Sequence, residues 1–288
     1  MKTQYQYLRR TRPDGNCFYR AFGYAYLESL LNDELELNRF SAILEERKND
    51  LIALGFPAFT VEDFYDQFVG VVERISSKEI SNQSDLANQV FNDEPLSNYL
   101  VVLLRLVTSG YLQKNEEFYM NFIEGHATVR DFCSQEVEPM YRESDHIHII
   151  SLTSALDVSV RINYLDRGGV GEKVSIHDFP EGTQPRIHLL YRPGHYDIVY
   201  PQPANKATSN VGGGASSNSV TAATENSSSQ SGVSSTTTNS SASAVNNATN
   251  DNNVAANNAS NSAAANGNLI ENQFSEITSS SNADVQRS

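Results

Sequence analysis

The sequence predicts an α+β fold built as one domain, on three observations. Apolar side chains recur at spacings of three and four through the first two-thirds of the ordered part, as helices require. They alternate in its last third, as strands require. Beyond residue 202 the chain is Ser, Asn, Ala, Thr and Gly with almost no large apolar side chains. Such a segment cannot bury enough surface to offset its ordering entropy, so 203–288 is expected as a disordered tail. Residues 1–202 suffice for one domain with a sizeable core.

Taken in order, Met1 to Arg12 is polar and basic and leaves little room for a domain before the first turn. Pro13, Asp14, Gly15 and Asn16 are turn formers, with proline pre-setting one dihedral and glycine permitting positive φ. Cys17 ends that turn, and Phe18, Ala21, Phe22, Ala25, Tyr26 and Leu30 behind it form the stripe of a helix with one buried face. Asn32 to Leu37 reads as a polar connection, and Phe40 to Leu54 as a second helix closed by Gly55. Thr60-Val61-Glu62-Asp63 has the capping-box pattern ahead of Phe64, Phe68, Val71 and Val72. Ser76 to Gln83 is a polar connection. Tyr99 to Val107 is apolar almost all round and predicts a core helix. Phe118, Tyr119, Phe122 and Ile123 suggest another helix.

Val158 to Tyr164 alternates as a strand, and Gly168-Gly169-Val170-Gly171 then turns the chain. That turn lacks the lysine and Ser/Thr of a phosphate loop. Ile187 to Tyr191 and His195 to Tyr200 flank a Pro-Gly turn, the signature of a hairpin.

The chemistry gathers at two of these places. A thiol in the first turn of a helix feels the positive end of the helix dipole and unpaired amides, which favour thiolate and can also hold an oxyanion. The competing reading of Cys17 is a small core hydrophobe. On the final strand His195 and Asp197 share a face. A carboxylate beside an imidazole fixes its tautomer and stabilises the imidazolium. Cys17, His195 and Asp197 thus supply nucleophile, base and orienter. Cys133 has no comparable turn and no histidine nearby in sequence, and is assigned to structure. His146-x-His148 would place two imidazoles on one face of a strand, an arrangement that can ligate zinc. No third and fourth ligand stand at useful spacing, so no metal or cofactor is expected.

Charge narrows the partners. The chain carries a formal charge of −14, and with the tail's five acids and two bases set aside the domain keeps 30 acids and 19 bases. Nucleic acid is a poor partner for that surface, and a protein with a basic tail a better one. Two cysteines do not suggest a disulfide framework, the opening residues lack the apolar core of a signal peptide, and no run reaches membrane-spanning length. A reducing cytosol is the expected home, with the nucleus open as well.

At TRPDGNCFYRAFG (Thr11 to Gly23), EVEPM (Glu136 to Met140), ESDHIHII (Glu143 to Ile150) and LLYRPGHYDIVY (Leu189 to Tyr200) the sequence resembles the otubains, and within them the otubain-1-like branch. These are ubiquitin-specific cysteine proteases with the ovarian-tumour (OTU) domain. The resemblance runs from about Leu8 to Tyr200. It implies the OTU-type fold, a small β-sheet packed between helical layers. By resemblance Cys17 is the nucleophile, His195 the general base and acid, Asp197 the third member of the triad, and Asp14 the loop residue that holds the oxyanion-binding backbone in shape.

The stretches matching Gln135 to Arg142 and Asp145 to Ile150, and Tyr196, face the donor ubiquitin in the family, which makes His146, Ile150 and Tyr196 expected ubiquitin contacts. Phe56 to Phe64 and Asn98 to Leu106 correspond to areas where a ubiquitin-conjugating enzyme docks. The implied activity is a deubiquitinating thiol isopeptidase acting on polyubiquitin. The alternative is a non-catalytic regulator that binds ubiquitin or a conjugating enzyme. Family members usually carry a longer N-terminal segment, so linkage preference and conjugating-enzyme blockade stay open.

Overall fold

The computed structural model describes residues 4–165 and 174–202. The glycine-rich turn Gly168 to Gly171 and the tail 203–288 lie outside the described residues.

The α+β segregation holds. A short strand β1 (Tyr5–Arg9) leads into helices α1 (Cys17–Leu30), α2 (Glu34–Ala53), α3 (Ala58–Ser76), α4 (Gln83–Leu86), α5 (Glu94–Lys114), α6 (Glu116–Tyr119), α7 (Val129–Phe132) and α8 (His146–Leu156). Strands β2 (Val160–Leu165), β3 (Val174–Phe179), β4 (Ile187–Arg192) and β5 (His195–Pro201) follow. The sheet order is β1-β5-β4-β2-β3, with β2 parallel to β4 and every other pair antiparallel.

Period-two alternation sends Val160 and Ile162 of β2, Ile187 and Leu189 of β4, and Tyr196 and Ile198 of β5 into the main core. Helix α1 packs against β4 and β5, and α5 touches α1, α2, α3 and α8. Because α1 lies between the sheet and α5, every residue from Cys17 to Leu27 is buried. The single apolar stripe expected from the sequence understates this, since Arg20 and Tyr24 are enclosed too. The apolar run in α5 is core, as expected, but Ser97, Asn98, Arg105, Thr108 and Ser109 are buried with it.

Several local expectations are corrected. Residues 34–37 belong to α2: Asp33 caps it by accepting from the Glu36 N–H, and Glu34 and Glu36 sit favourably at the positive end of the dipole. Helix α3 begins at Ala58 after Pro57, so Thr60 is a buried interior residue and not a cap. Phe118 and Tyr119 lie in the four-residue α6, continued by a 3₁₀ turn over Met120–Phe122. The edge strands β1 and β3 carried no signal in sequence because their side chains are mostly exposed and do not alternate.

His146 and His148 start helix α8 and do not lie on a strand. His148 is buried, accepts the Asp145 N–H at Nδ1 (3.0 Å) and offers Nε2 to the Glu136 carbonyl (3.3 Å). Burial lowers its pKa to about 4, so it is a neutral capping residue.

Candidate active site

Cys17 opens α1 where the sequence places it, behind a turn organised by Asp14. The Asp14 carbonyl accepts the Cys17 N–H (3.1 Å) and one carboxylate oxygen accepts the Asn16 N–H (3.0 Å). The other oxygen pairs with the buried Arg20 guanidinium (2.9 Å), which also donates to Ser97 Oγ and Asn98 Oδ1 on α5. Asp14 thus shapes the loop, but in this state it holds the Asn16 and Cys17 amides that the sequence offered to an oxyanion.

Gly15 is needed for a reason different from the expected positive φ, which it does not adopt. A Cβ there would stand 1.9 Å from the Tyr141 carbonyl oxygen, so only glycine lets the two backbones approach.

The thiol itself departs from expectation. Burial is the largest effect and pushes the Cys17 thiol up, aided by the Asp14 and Glu143 charges, while the amides of Tyr196 on β5 and of Phe18 in the first helical turn oppose it. Cys17 therefore rests as the thiol at neutral pH, and a nucleophilic role for it calls for a base.

His195, the candidate base, stands on the β4–β5 hairpin. Pro193-Gly194 forms its two-residue turn, with Gly194 at φ +76°, and the register sets Arg192 opposite His195. Asp197 is fully enclosed and lies two residues on, on the same face. One of its oxygens accepts from His195 Nε2 (3.0 Å) and from the Thr11 N–H (3.0 Å), and the other from Arg192 Nη2 (2.5 Å). Holding the proton on Nε2 leaves Nδ1 as the basic nitrogen. Among the described residues no hydrogen bond joins His195 to Cys17. Arg10, Thr11, Pro13, Arg192, Pro193, His195 and Asp197 line an open cleft of about 740 Å³.

The remaining expected site residues divide. His146 is exposed and stacks on Tyr164, with centroids 5.4 Å apart, and Ile150 is 40% exposed. Tyr196 is only 4% exposed: its ring packs edge-on against Phe18 and its hydroxyl donates to the Ser144 carbonyl, so its side chain offers no contact surface. Asn98 to Leu106 is core apart from half-buried Tyr99, whereas Phe59 is 84% exposed.

Sequence reasoning missed Arg192, Thr11, Arg20 and the exposed pair Phe118 and Phe122. Arg192 was legible, because a two-residue turn fixes it opposite His195. Phe118 and Phe122 suggest a helix, and exposure has no signature in a four-residue spacing; with Ile123, Ile147, His146 and Ile150 they line a groove of about 500 Å³.

Residues 1–201 match the peptidase family described as Peptidase C65 Otubain. The chain belongs to the otubain family. It is 55% identical over 197 residues to the Ubiquitin thioesterase OTUB1 of Homo sapiens, covering 68% of this chain and 71% of that protein. It is 41% identical over 193 residues to the human Ubiquitin thioesterase OTUB2, covering 67% and 80%. An Arabidopsis thaliana deubiquitinating enzyme, OVARIAN TUMOR DOMAIN-containing 1, is 42% identical over 237 residues, covering 74% of this otubain and 75% of its own length. Among solved structures, a ceOTUB1 complex with ubiquitin aldehyde and ubiquitin-charged UBC13 superposes with a TM-score of 0.65 at 39% identity, over 69% of this chain and 81% of that one.

Proposed function

We propose that this otubain is a deubiquitinating thiol isopeptidase that cleaves the bond between the ubiquitin C-terminal glycine and a lysine amine. The observation that carries this reading is the enclosed Asp197 carboxylate gripping His195 Nε2, on the strand whose next amide, that of Tyr196, faces the Cys17 sulfur. His195 Nδ1 takes the Cys17 proton as sulfur bonds to the scissile carbonyl carbon. The Asn16 and Cys17 amides, released from Asp14, receive the oxyanion. As the C–N bond breaks, His195 returns the proton to the lysine amine. Water, deprotonated by His195, then splits the thioester and restores the thiol.

The donor ubiquitin lies over His146, Ile150 and the exposed Phe118 and Phe122, a groove apolar enough to bind a folded partner. Its basic C-terminal tail then passes the acidic Glu143 and Asp145. Two free thiols, one needed unoxidised, suit a reducing compartment, the cytosol or nucleus.

A regulatory role beside catalysis is favoured by the exposed Phe59 and by the conjugating enzymes present in complexes of relatives. The deciding experiment labels wild type and Cys17→Ala with ubiquitin bearing a thiol-reactive C-terminus and reads intact mass. One adduct on wild type alone supports the isopeptidase. Bound ubiquitin without any adduct favours the regulator.

A further inference from the structure

A side chain from the middle of α5 reaches into the loop that precedes Cys17. Arg105 is fully buried and has no carboxylate in hydrogen-bond contact. Its Nη1 donates to the Val137 carbonyl (2.9 Å), and its Nη2 to the Gly15 carbonyl (3.1 Å), Asn16 Oδ1 (2.8 Å) and the Arg142 carbonyl (2.7 Å). The Tyr19 ring lies 4.5 Å beneath the guanidinium. Enclosing an unpaired cation is costly, and here Nη1 and Nη2 are satisfied while the buried Nε has no partner.

What those donors hold is informative. A peptide unit is planar, with C=O and N–H pointing opposite ways. Gripping the Gly15 carbonyl therefore sets the direction of the Asn16 N–H, the amide now on Asp14 and the one offered to the oxyanion. Asn16 Oδ1 in turn accepts the Tyr141 N–H (2.8 Å), and Gly15 presses on the Tyr141 carbonyl. The catalytic loop and the 137–142 loop are thereby joined through one guanidinium.

The geometry points to Arg105 as a positioning residue: it fixes the plane of the Gly15–Asn16 peptide and so aims an oxyanion-binding amide, while tying that amide to the loop on the donor-ubiquitin side. The assignment rests on the isopeptidase reading above. Asp14 alone cannot do this, because it must release the N–H end of the same plane before an oxyanion can take it, while the Gly15 carbonyl stays on Arg105. Lysine keeps the charge but cannot fork to four acceptors.

The test compares wild type, Arg105→Lys and Asn16→Ala, each checked for folding by its thermal transition. For each, hydrolysis of a ubiquitin C-terminal amide gives kcat and KM. Affinities for ubiquitin aldehyde, whose thiohemiacetal oxygen needs the loop, and for unmodified ubiquitin are measured alongside. In Arg105→Lys we expect kcat and aldehyde affinity to fall by about tenfold or more, with KM and unmodified-ubiquitin affinity within about twofold. Asn16→Ala removes one acceptor from the catalytic side and should show the same split. The double variant should be little worse than the worse single one, as for two residues acting on one peptide plane. Folded variants with wild-type kcat, or equal losses against aldehyde and plain ubiquitin, would overturn the positioning role. A wild type that hydrolyses nothing and captures no aldehyde would instead overturn the isopeptidase reading.

Discussion

The two cysteines are both free and both buried, Cys17 at 4% and Cys133 at 0% exposure, yet different groups face their sulfurs. Burial pushes both thiols up. Around Cys17, amides of Tyr196 and Phe18 oppose that shift, and a histidine held by a carboxylate lies on the adjoining strand. Around Cys133, the Glu138 carboxyl reinforces it, and the thiol donates weakly to the Ser109 carbonyl (3.8 Å) inside a small cluster with Leu112, Val129 and Val137. Depth alone does not distinguish the two. What marks Cys17 is the pair of backbone amides at its sulfur and a carboxylate-held histidine on the strand packed against its helix.

The largest test of that contrast is paired. Cys17→Ala should lower turnover by about 10⁴-fold or more while ubiquitin still binds. Cys133→Ala should keep kcat within about twofold and cost about 1–2 kcal/mol of stability, read by urea unfolding. Turnover that survives the first change, or is lost with the second in a folded protein, would reverse the two assignments.

Next in size is Asp197→Asn, which removes the charge that Arg192, Thr11 and His195 share. A fall in kcat of about 10²- to 10⁴-fold is expected, from loss of the productive imidazole tautomer. A fall below about fivefold would mean that the remaining contacts orient His195 without the carboxylate.

Glu138 probes the surroundings of Cys133. It is buried, one oxygen accepts from Ser109 Oγ (2.6 Å), the other has no partner, and burial raises its pKa to about 7. A carboxyl raised in the folded state stabilises fully below its unfolded pKa, and that contribution is lost as pH rises through about 7. Glu138→Gln should therefore match wild type at low pH and exceed it at pH 8 by up to about 3 kcal/mol. Equal stability at both pH values would show that the carboxyl titrates normally.

The smallest effect concerns the resting thiol. Alkylation of Cys17 by a small haloacetamide, in protein free of ubiquitin and with Cys133 changed to alanine, should keep rising with pH beyond the ordinary thiol midpoint of about 8.5. A plateau by pH 7 would restore the thiolate expected from the helix start, and with it a weaker need for His195 as base.

Much of the site was legible because its chemistry is local. Turn formers before Cys17 place it at a helix start, and period-two alternation puts His195 and Asp197 on one face whatever surrounds them. The same holds for the β4–β5 hairpin and for the apolar run of α5. Where the sequence reading went astray, the deciding contact came from far along the chain or from the depth of packing. Gly15 reads as a turn glycine, but Tyr141 is what forbids a side chain there. His146 and His148 look like alternating strand residues, and the Asp145 cap and Glu136 carbonyl make them the start of a helix. Tyr196 reads as an interface residue, and the Phe18 ring encloses it.

By itself, then, the sequence determined the α+β order, the helix-start position of Cys17 and the same-face pairing of His195 with Asp197, since each depends on residues within a turn or a strand of one another. Tertiary structure alone decided the height of the Cys17 pKa, the grip of Thr11 on Asp197 across 186 positions, and the reach of Arg105 into the Gly15 loop. Desolvation and long-range hydrogen bonds depend on which surfaces meet, and no local pattern of side chains encodes that meeting.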